Sequence, residues 1–363
     1  MRILKGKIRN WHNSKIFIGL VIVLSLFGIV EQVAQAKLTT VHQSANNFSN
    51  ATFTSQQVQH IVIIEFENVE LNDILSNGPY FKQLYETYGV ATNYYAACHP
   101  STSNYLAVTS GKTLQCGSDA VNLYNTTNIG TLLQNKNLSW YGFMESMPSN
   151  CYRDNSGEYV PKHNPFIYYS DLVNSNLCKE HDVPLTNWTN LVNQGNIPNF
   201  SFISPNILND GHDTDVVYAD NWLQGFLPPL LAKPWASSTI FFIVFDEGTT
   251  NNGFNGTSGG HTYLVAVSPY SKSMKVTSDT TNYNLLTTIE WLMDLGTTGN
   301  NDDPSKYTPM TGLFNFSNFS VLETQQPISK WSIQQEMNKM KFDIEYKIRK
   351  ILARFYVDSI NKK

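Results

Sequence analysis

Charge is scarce in this chain. Of 363 residues only 15% are Asp, Glu, Lys or Arg, while 41% are hydrophobic and 13% aromatic. That balance is too apolar for an intrinsically disordered protein. The net charge is -4, and the basic residues gather at the two ends, in residues 1–16 and from Lys330 onward. The middle is therefore acidic, which argues against nucleic acid as a partner of the main domain. Four cysteines without a Cys-x-x-Cys pair leave little for a structural zinc. No P-loop and no His-Glu-x-x-His occurs, which removes P-loop nucleotide binding and a helical zinc-protease site. No internal repeat is visible, and long apolar runs are rare.

The one long run lies near the start. Ile16 to Val30 has about the length of a signal h-region and is shorter than a typical spanning helix. Arg2, Lys5, Lys7, Arg9 and Lys15 precede it, and Ala34-Gln35-Ala36 follows in the small-x-small form of a cleavage site. The reading is export of a secreted or extracytoplasmic protein, with an uncleaved membrane anchor as the alternative. An even number of cysteines in an exported chain suggests disulfides. Local pairing, Cys98 with Cys116 and Cys151 with Cys178, is the expectation among three connectivities. Asn-x-Ser/Thr sequons at Asn47, Asn50, Asn125, Asn187, Asn255 and Asn318 fit a glycosylated surface. The expected organisation is a signal peptide over 1–36, a Ser/Thr/Asn/Gln-rich linker over 37–55, a catalytic domain over 56–320 and a basic tail over 321–363. Within the tail, Trp331 to Asn361 is nearly free of Gly and Pro and reads as a basic amphipathic helix. It would pack on the domain, bind a partner helix, or touch an anionic membrane surface.

Between these ends, apolar runs alternate with helical patterns. Strands are expected at His60–Phe66, Ser139–Met144, Asn199–Ile203, Thr239–Phe245 and Thr262–Val267. Helices are expected at Phe81–Tyr88, Ser103–Ser110, Thr131–Asn135, Asp220–Leu231 (disturbed by Pro228-Pro229) and Leu285–Leu295. Residues 145–185 read as a long active-site loop. This alternation implies an α/β fold with a mostly parallel sheet covered on both faces.

Two strands end in unusual company. Thr239–Phe245 runs into Asp246-Glu247-Gly248, and His60–Phe66 into Glu67-Asn68. Acids where a buried strand meets solvent are costly unless a cation or a hydrogen-bond network holds them. In α/β sheets ligands bind outside the carboxyl ends of strands, so the two ends would converge on one metal. Hard oxygen ligands with little histidine suit Mg, Ca, Mn or Fe. Glu65 lies one step deeper on the same side of its strand and is not expected to be a ligand. Ser101, in His99-Pro100-Ser101-Thr102, opens a helix. Taken alone it reads as an N-cap; beside a metal it becomes a nucleophile at an anion site. His212 in Asp210-Gly211-His212-Asp213 and His163 in Lys162-His163-Asn164-Pro165-Phe166 are candidates for phosphate binding or proton transfer. His261, after Gly259-Gly260, is a further substrate-binding candidate.

The order Ile-Glu-Phe-Glu67-Asn68, His99-Pro100-Ser101-x-x-Asn104-Tyr105, Met144-Glu145-Ser146-Met147-Pro148, Lys162-His163-Asn164-Pro165-Phe166, Asn209-Asp210-Gly211-His212-Asp213 and Phe245-Asp246-Glu247-Gly248 resembles the phosphoesterase family of acid phosphatases and phospholipases C, within the alkaline phosphatase superfamily. The match covers roughly residues 58–295. The resemblance implies a three-layer α/β/α sandwich, alkaline phosphatase-like, with one divalent metal held by Glu67, Asn68, Ser101, Asp246 and Glu247. It makes Ser101 the nucleophile of a phosphoseryl intermediate. Asn122, a looser match, would hold a phosphate oxygen, and His163 and His212 would bind the phosphoryl group or act as acid and base. The chain departs from the family pattern at Ser103, where relatives carry Pro, and at Asn282, Asn284 and Thr287, where relatives tend to carry His, Ser and Arg. The expected function is a secreted, metal-dependent phosphomonoesterase acting on a small phosphate ester. The alternatives are a phospholipase C-like phosphodiesterase and an inactive surface protein that binds phosphate esters or metal.

Overall fold

The computed structural model describes residues 58–254 and 256–316. The expected signal peptide, linker and basic tail, with Asn47, Asn50, Asn255 and Asn318, lie outside the described residues. Among those described, no helix is long and apolar enough to cross a membrane.

The sequence His60-Ile-Val-Ile-Ile-Glu-Phe66 cannot alternate apolar with polar, so its strand needs cover on both faces. It forms β1 (His60–Phe66) and lies inside an eight-stranded sheet. The other strands are β2 (Gly89–Ala91), β4 (Trp140–Met144), β5 (Asp182–Pro184), β6 (Phe200–Ser204), β7 (Thr239–Phe245), β9 (Leu264–Val267) and β10 (Lys275–Val276), in the order β10-β2-β9-β7-β1-β6-β4-β5. β1 pairs in parallel with β6 and with β7 over its whole length. Only β9 runs against its neighbours. A separate small sheet joins β3 (Tyr94–Tyr95), β8 (His261–Thr262) and β11 (Thr280–Thr281) in the order β11-β3-β8. The mostly parallel α/β architecture is the expected one.

Strand alternation sorts the layers. Val62, Ile64 and Phe66 of β1 and Phe241, Ile243 and Phe245 of β7 enter the larger core. Leu71, Ile74, Phe81, Trp188, Leu223 and Leu227 cover them from helices Leu71–Asn77, Pro79–Thr87, Thr186–Gln194 and Val216–Leu231. Phe66, Phe81, Phe245 and Tyr263 interlock edge to face or stacked, with ring centroids 5.0–5.9 Å apart. The remaining residues of the same strands, with Glu65, Glu67 and Asp246 among them, face the other layer. There the helix Thr102–Ser110 packs on Asn282–Met293 and sets Tyr105 against Phe202 of β6. All nine residues of Thr102–Ser110 are buried. Two of its hydroxyls are satisfied inside: Thr109 and Ser110 donate to carbonyls one turn back. Gly111, at φ 72°, closes it in the left-handed conformation.

Two expectations change. Pro228 and Pro229 do not break the Val216–Leu231 helix; each gives up its own amide bond, but they sit in its last turn, and the helix ends two residues later. Residues 145–185 are not an irregular loop. They hold 3-10 turns at Pro161–His163 and Pro165–Tyr168, helices Ser170–Asn174 and Leu177–His181, and β5, elements too short to show a period. Disulfides link Cys98 to Cys116 and Cys151 to Cys178, the expected pairing.

The second disulfide encloses a buried acid. Asp182 is fully buried and accepts from Asn164 Nδ2 at 2.8 Å, and its backbone carbonyl accepts from Cys151 N. Burial raises its pKa from 3.8 to about 8, against the opposing hydrogen bond from Asn164. A raised acid favours the folded state at low pH, so its contribution is complete below about pH 4 and lost as pH climbs through about 8. Asp182→Asn is expected to flatten this dependence. The variant's melting temperature should exceed wild type at pH 8 and match it near pH 4, a difference of a few kcal/mol at most. Parallel melting curves for the two proteins across pH would remove Asp182 as the origin.

Candidate active site

β1 and β7 are adjacent and in register, so their ends deliver side chains side by side: Phe66 pairs with Phe245. Asp246 N donates to the Phe66 carbonyl at 2.9 Å, and Glu67 N to the Asp210 carbonyl at 3.1 Å. Asn68 then turns into the left-handed region, φ 38°, a conformation Asn tolerates better than most residues. The turn lets Asn68 N donate to Asp246 Oδ1 at 3.0 Å, beside Glu247 N at 2.6 Å.

Ser101 arrives from the other layer. It occupies the N-cap position, but its hydroxyl caps nothing. It donates instead to Glu67 Oε2 at 2.7 Å and lies 3.3 Å from Asn68 Oδ1. Asp119 does the capping, accepting from Thr102 N at 3.1 Å and Thr102 Oγ1 at 2.9 Å. The simple cap reading of Ser101 is thereby overturned, because a better acceptor already serves the helix amide.

The electrostatics are those of crowded, buried acids. Glu67 and Asp246 are fully buried, and Glu247 and Ser101 nearly so. Burial, then Glu67 and Glu247, push Asp246 well above the usual carboxylate range. Burial and Glu67 raise Glu247 to about 7. Asp246 Oδ2 is buried with no hydrogen-bond partner, although its sister oxygen takes two amides. Buried acceptors of this kind are rarely left unpaired. A cation with oxygen ligands fits the donor set, and Glu67, Asn68, Ser101, Asp246 and Glu247 are the residues that would hold it.

A ring of supports surrounds these five. Asn104 donates to Glu247 Oε2 at 3.0 Å and to the Cys98 carbonyl at 2.8 Å. His99 Nδ1 meets the same Glu247 oxygen at 3.1 Å, and its Nε2 donates to the Thr250 carbonyl at 2.9 Å. Glu70 fastens that loop by accepting from Thr249 N and Thr250 N. His163 is buried between Glu67 Oε1 (3.1 Å) and Asp210 Oδ2 (2.9 Å), close contacts that lie off the hydrogen-bond axis. Tyr105 stacks on its ring at 5.5 Å. Burial opposes its charge, but Glu67 and Asp210 outweigh it and raise His163 to about 9. In turn, against burial, His163 holds Glu67 down at about 2. His212 Nδ1 lies 2.8 Å from Asp213 Oδ1 and its Nε2 lies 2.7 Å from Lys162 Nζ. Glu67, His163 and His212 offer ligand atoms within 4.8 Å of one another.

The Phosphoesterase family model matches residues 28–296. The chain belongs to the phosphoesterase family. It is 30% identical to a probable acid phosphatase of Kluyveromyces lactis over 75% of this chain and 65% of that protein. A phosphate-repressible acid phosphatase of Penicillium chrysogenum is 32% identical over 44% of this chain and 41% of its own length. Each alignment thus spans less than two thirds of the relative. A phosphatidylinositol-3-phosphatase of Mycobacterium tuberculosis is 26% identical, over 66% of this chain and 78% of that protein. Among solved structures, a protein in the alkaline phosphatase superfamily from Vibrio parahaemolyticus is similar, with 17% identity and a TM-score of 0.49, covering 69% and 71% of the two chains.

Not every expected residue reaches the cluster. Glu67, Asn68, Ser101, Asp246, Glu247 and His163 meet there, and His212 lies beside them. His163 keeps both nitrogens on carboxylates, a supporting position rather than an open one. His261 is on β8, donating to the Thr92 carbonyl at 2.9 Å and stacked on Tyr95. Asn122 is exposed, with Gln115 and Tyr124 as neighbours. The departures from the family pattern carry local structure: Asn282 Oδ1 accepts from Ala97 N at 2.8 Å, Asn284 completes a capping box with Thr281, and Thr287 donates to the Asn284 carbonyl. The Ser103 hydroxyl is buried without a partner. Sequence reasoning missed His99, Asn104, Lys162 and Asp119. His99 and Asn104 flank Ser101 in its motif, so proximity to Ser101 was the available signal.

His99→Ala should leave Glu247 oriented by Asn104 alone. Metal affinity, measured by equilibrium dialysis, is expected to fall about 10- to 100-fold, as for other residues that orient a ligand. Unchanged affinity would show that Asn104 suffices.

Proposed function

We propose that the protein is a secreted, metal-dependent phosphomonoesterase that works through a phosphoseryl intermediate. The observation that carries the reading is Ser101: a buried hydroxyl that ignores its helix and points into the carboxylates of two strand ends. Two disulfides and the signal-like N-terminus support export. The relatives' names support a monoester substrate, since acid phosphatases and a phosphatidylinositol-3-phosphatase all remove a terminal phosphoryl group.

When bound, a divalent cation at this centre would lower the pKa of the serine hydroxyl and neutralise charge on a phosphoryl oxygen. The rest falls to the chain. Ser101 Oγ attacks phosphorus in line, and its proton is already directed at Glu67 Oε2. Asn104 and His99 hold Glu247, and His163 holds Glu67, so the ligands are preorganised. Water protonates the leaving alkoxide and, in a second in-line attack, releases phosphate; His212, whose Nε2 faces Lys162 Nζ, lies beside the carboxylates. Phosphoryl transfer needs positioning and charge neutralisation above all, and the site offers both.

The test is hydrolysis of nitrophenyl phosphate against nitrophenyl phosphorylcholine, across pH and with added divalent metals, on protein beginning near Lys37. The monoester should be turned over faster, chelation should abolish activity, and metal should restore it. Ser101→Ala should lose turnover at least about a thousandfold while keeping most of its metal. Asp246→Asn should lose metal and activity together. Preference for the diester would move the protein to the phospholipase C-like reading, and metal-dependent binding without turnover to the inactive one.

A further inference from the structure

We propose that Lys162 binds a non-bridging oxygen of the phosphoryl group and so selects a dianionic monoester over a monoanionic diester; this rests on the hydrolytic reading above. What carries it is a cation without a matching anion among the described residues. His163 lies between Glu67 and Asp210, and His99 faces Glu247. Among the described residues no carboxylate comes within 4.0 Å of Lys162 Nζ; the lysine ion pair found is Lys136 with Asp294. Lys162 is half-buried, and its charge is among those that hold Glu67 down.

What holds the ammonium in place is a ring nitrogen and not a carboxylate. His212 Nδ1 faces Asp213 Oδ1 at 2.8 Å, and a carboxylate can only accept, so that nitrogen carries the ring proton. Nε2 is then a bare lone pair, and Lys162 Nζ donates to it at 2.7 Å. Asp213 and His212 together aim the lysine without cancelling its charge, and two of its three N–H donors stay open. The backbone is fastened as well: the Lys162 carbonyl accepts from Thr102 Oγ1 at 3.2 Å, the residue after the nucleophile. The lysine is therefore tied at both ends to the site, through Thr102 at the backbone and His212 at the ammonium.

The chemistry follows from charge. A monoester brings two negative charges toward a cluster of buried carboxylates, and a diester brings one. A fixed ammonium at the open side favours the species with more charge, and more so where water is excluded. Arg153 is the other cation nearby. Its Nε is buried without a partner, and its charge reaches Tyr168, a buried residue of the Pro165–Tyr168 turn.

The experiment uses metal-loaded protein with Lys162→Met, Lys162→Arg and Arg153→Met. Lys162→Met should lower kcat/KM for nitrophenyl phosphate about 10- to 100-fold, mostly through KM, and change the diester less than about threefold. Lys162→Arg should recover part of the loss, with metal content and melting temperature unchanged throughout. Calorimetry with inorganic phosphate gives a second readout that needs no turnover, and Lys162→Met should weaken that affinity by a similar factor. Equal losses on both esters, unchanged phosphate affinity, or a monoester-selective loss carried by Arg153→Met would overturn the proposal. If wild type turns over neither ester, the hydrolytic reading falls, and phosphate calorimetry still decides whether Lys162 holds the phosphoryl group.

Discussion

Repulsion among carboxylates at the ends of two adjacent parallel strands governs this molecule. The register of β1 with β7 leaves no freedom: once Phe66 sits opposite Phe245, Glu67 and Asp246 must emerge together. Each is buried, and Glu67 raises the pKa of both Asp246 and Glu247. A fold that left this unopposed would lose several kcal/mol per buried ion. The elements around the strand ends can be understood as answers to it. Asn68 adopts a left-handed turn so that its amide reaches Asp246. The Thr102–Ser110 helix is buried on all sides and supplies Asn104 to Glu247. The 3-10 turn at Pro161–His163 inserts an imidazolium between Glu67 and Asp210.

The loops that deliver these answers are not held by regular pairing, and the disulfides do that work. Cys98–Cys116 brings the segment carrying Asp119 back to the helix that Ser101 opens, where Asp119 takes the first amide. Ser101 is thereby released from capping. Cys151–Cys178 lies against Asp182, whose carboxyl holds Asn164, the residue after His163. Both bridges thus sit two or three contacts from Ser101, so the cluster is supported by covalent links and not by the sheet alone.

The strands were legible in the sequence because their burial leaves long β-rich apolar runs, and the two acidic ends stood out against so apolar a background. Ser101 and its helix were legible for their motif. What could not be read was everything decided by tertiary contact. His99 and His163 share a flanking-proline context, one preceding Pro and the other a residue away from it, but one turns to Glu247 and the other to Glu67. Nothing local distinguishes them. Residues 145–185 read as irregular because elements of three to five residues have no measurable period. His261 resembled a site histidine through its Gly-Gly context, whereas those glycines serve close backbone packing: a Cβ on Gly259 would meet Ala96 at 2.7–2.9 Å. Asn282 and Asn284 stood out as departures, and in the structure both are spent on backbone groups of their own neighbourhood.

Glu65 and Glu67 show how finely the site divides its charge. They share a strand and a face, and both are fully buried. Their pKa values part in opposite directions: Glu65 is raised well above the usual range by burial and by Glu67, while Glu67, despite burial, is held at about 2. The difference is access to His163. Its Nε2 reaches the outer carboxylate at 3.1 Å, and at the deeper one both oxygens lack a hydrogen-bond partner. A neutral acid beneath an ionised one is the arrangement with least repulsion, and it leaves the outer carboxylate as the charged one. Depth along a single strand, measured in one side-chain repeat, separates an anion that can bind a cation from a neutral carboxyl that fills the floor beneath it.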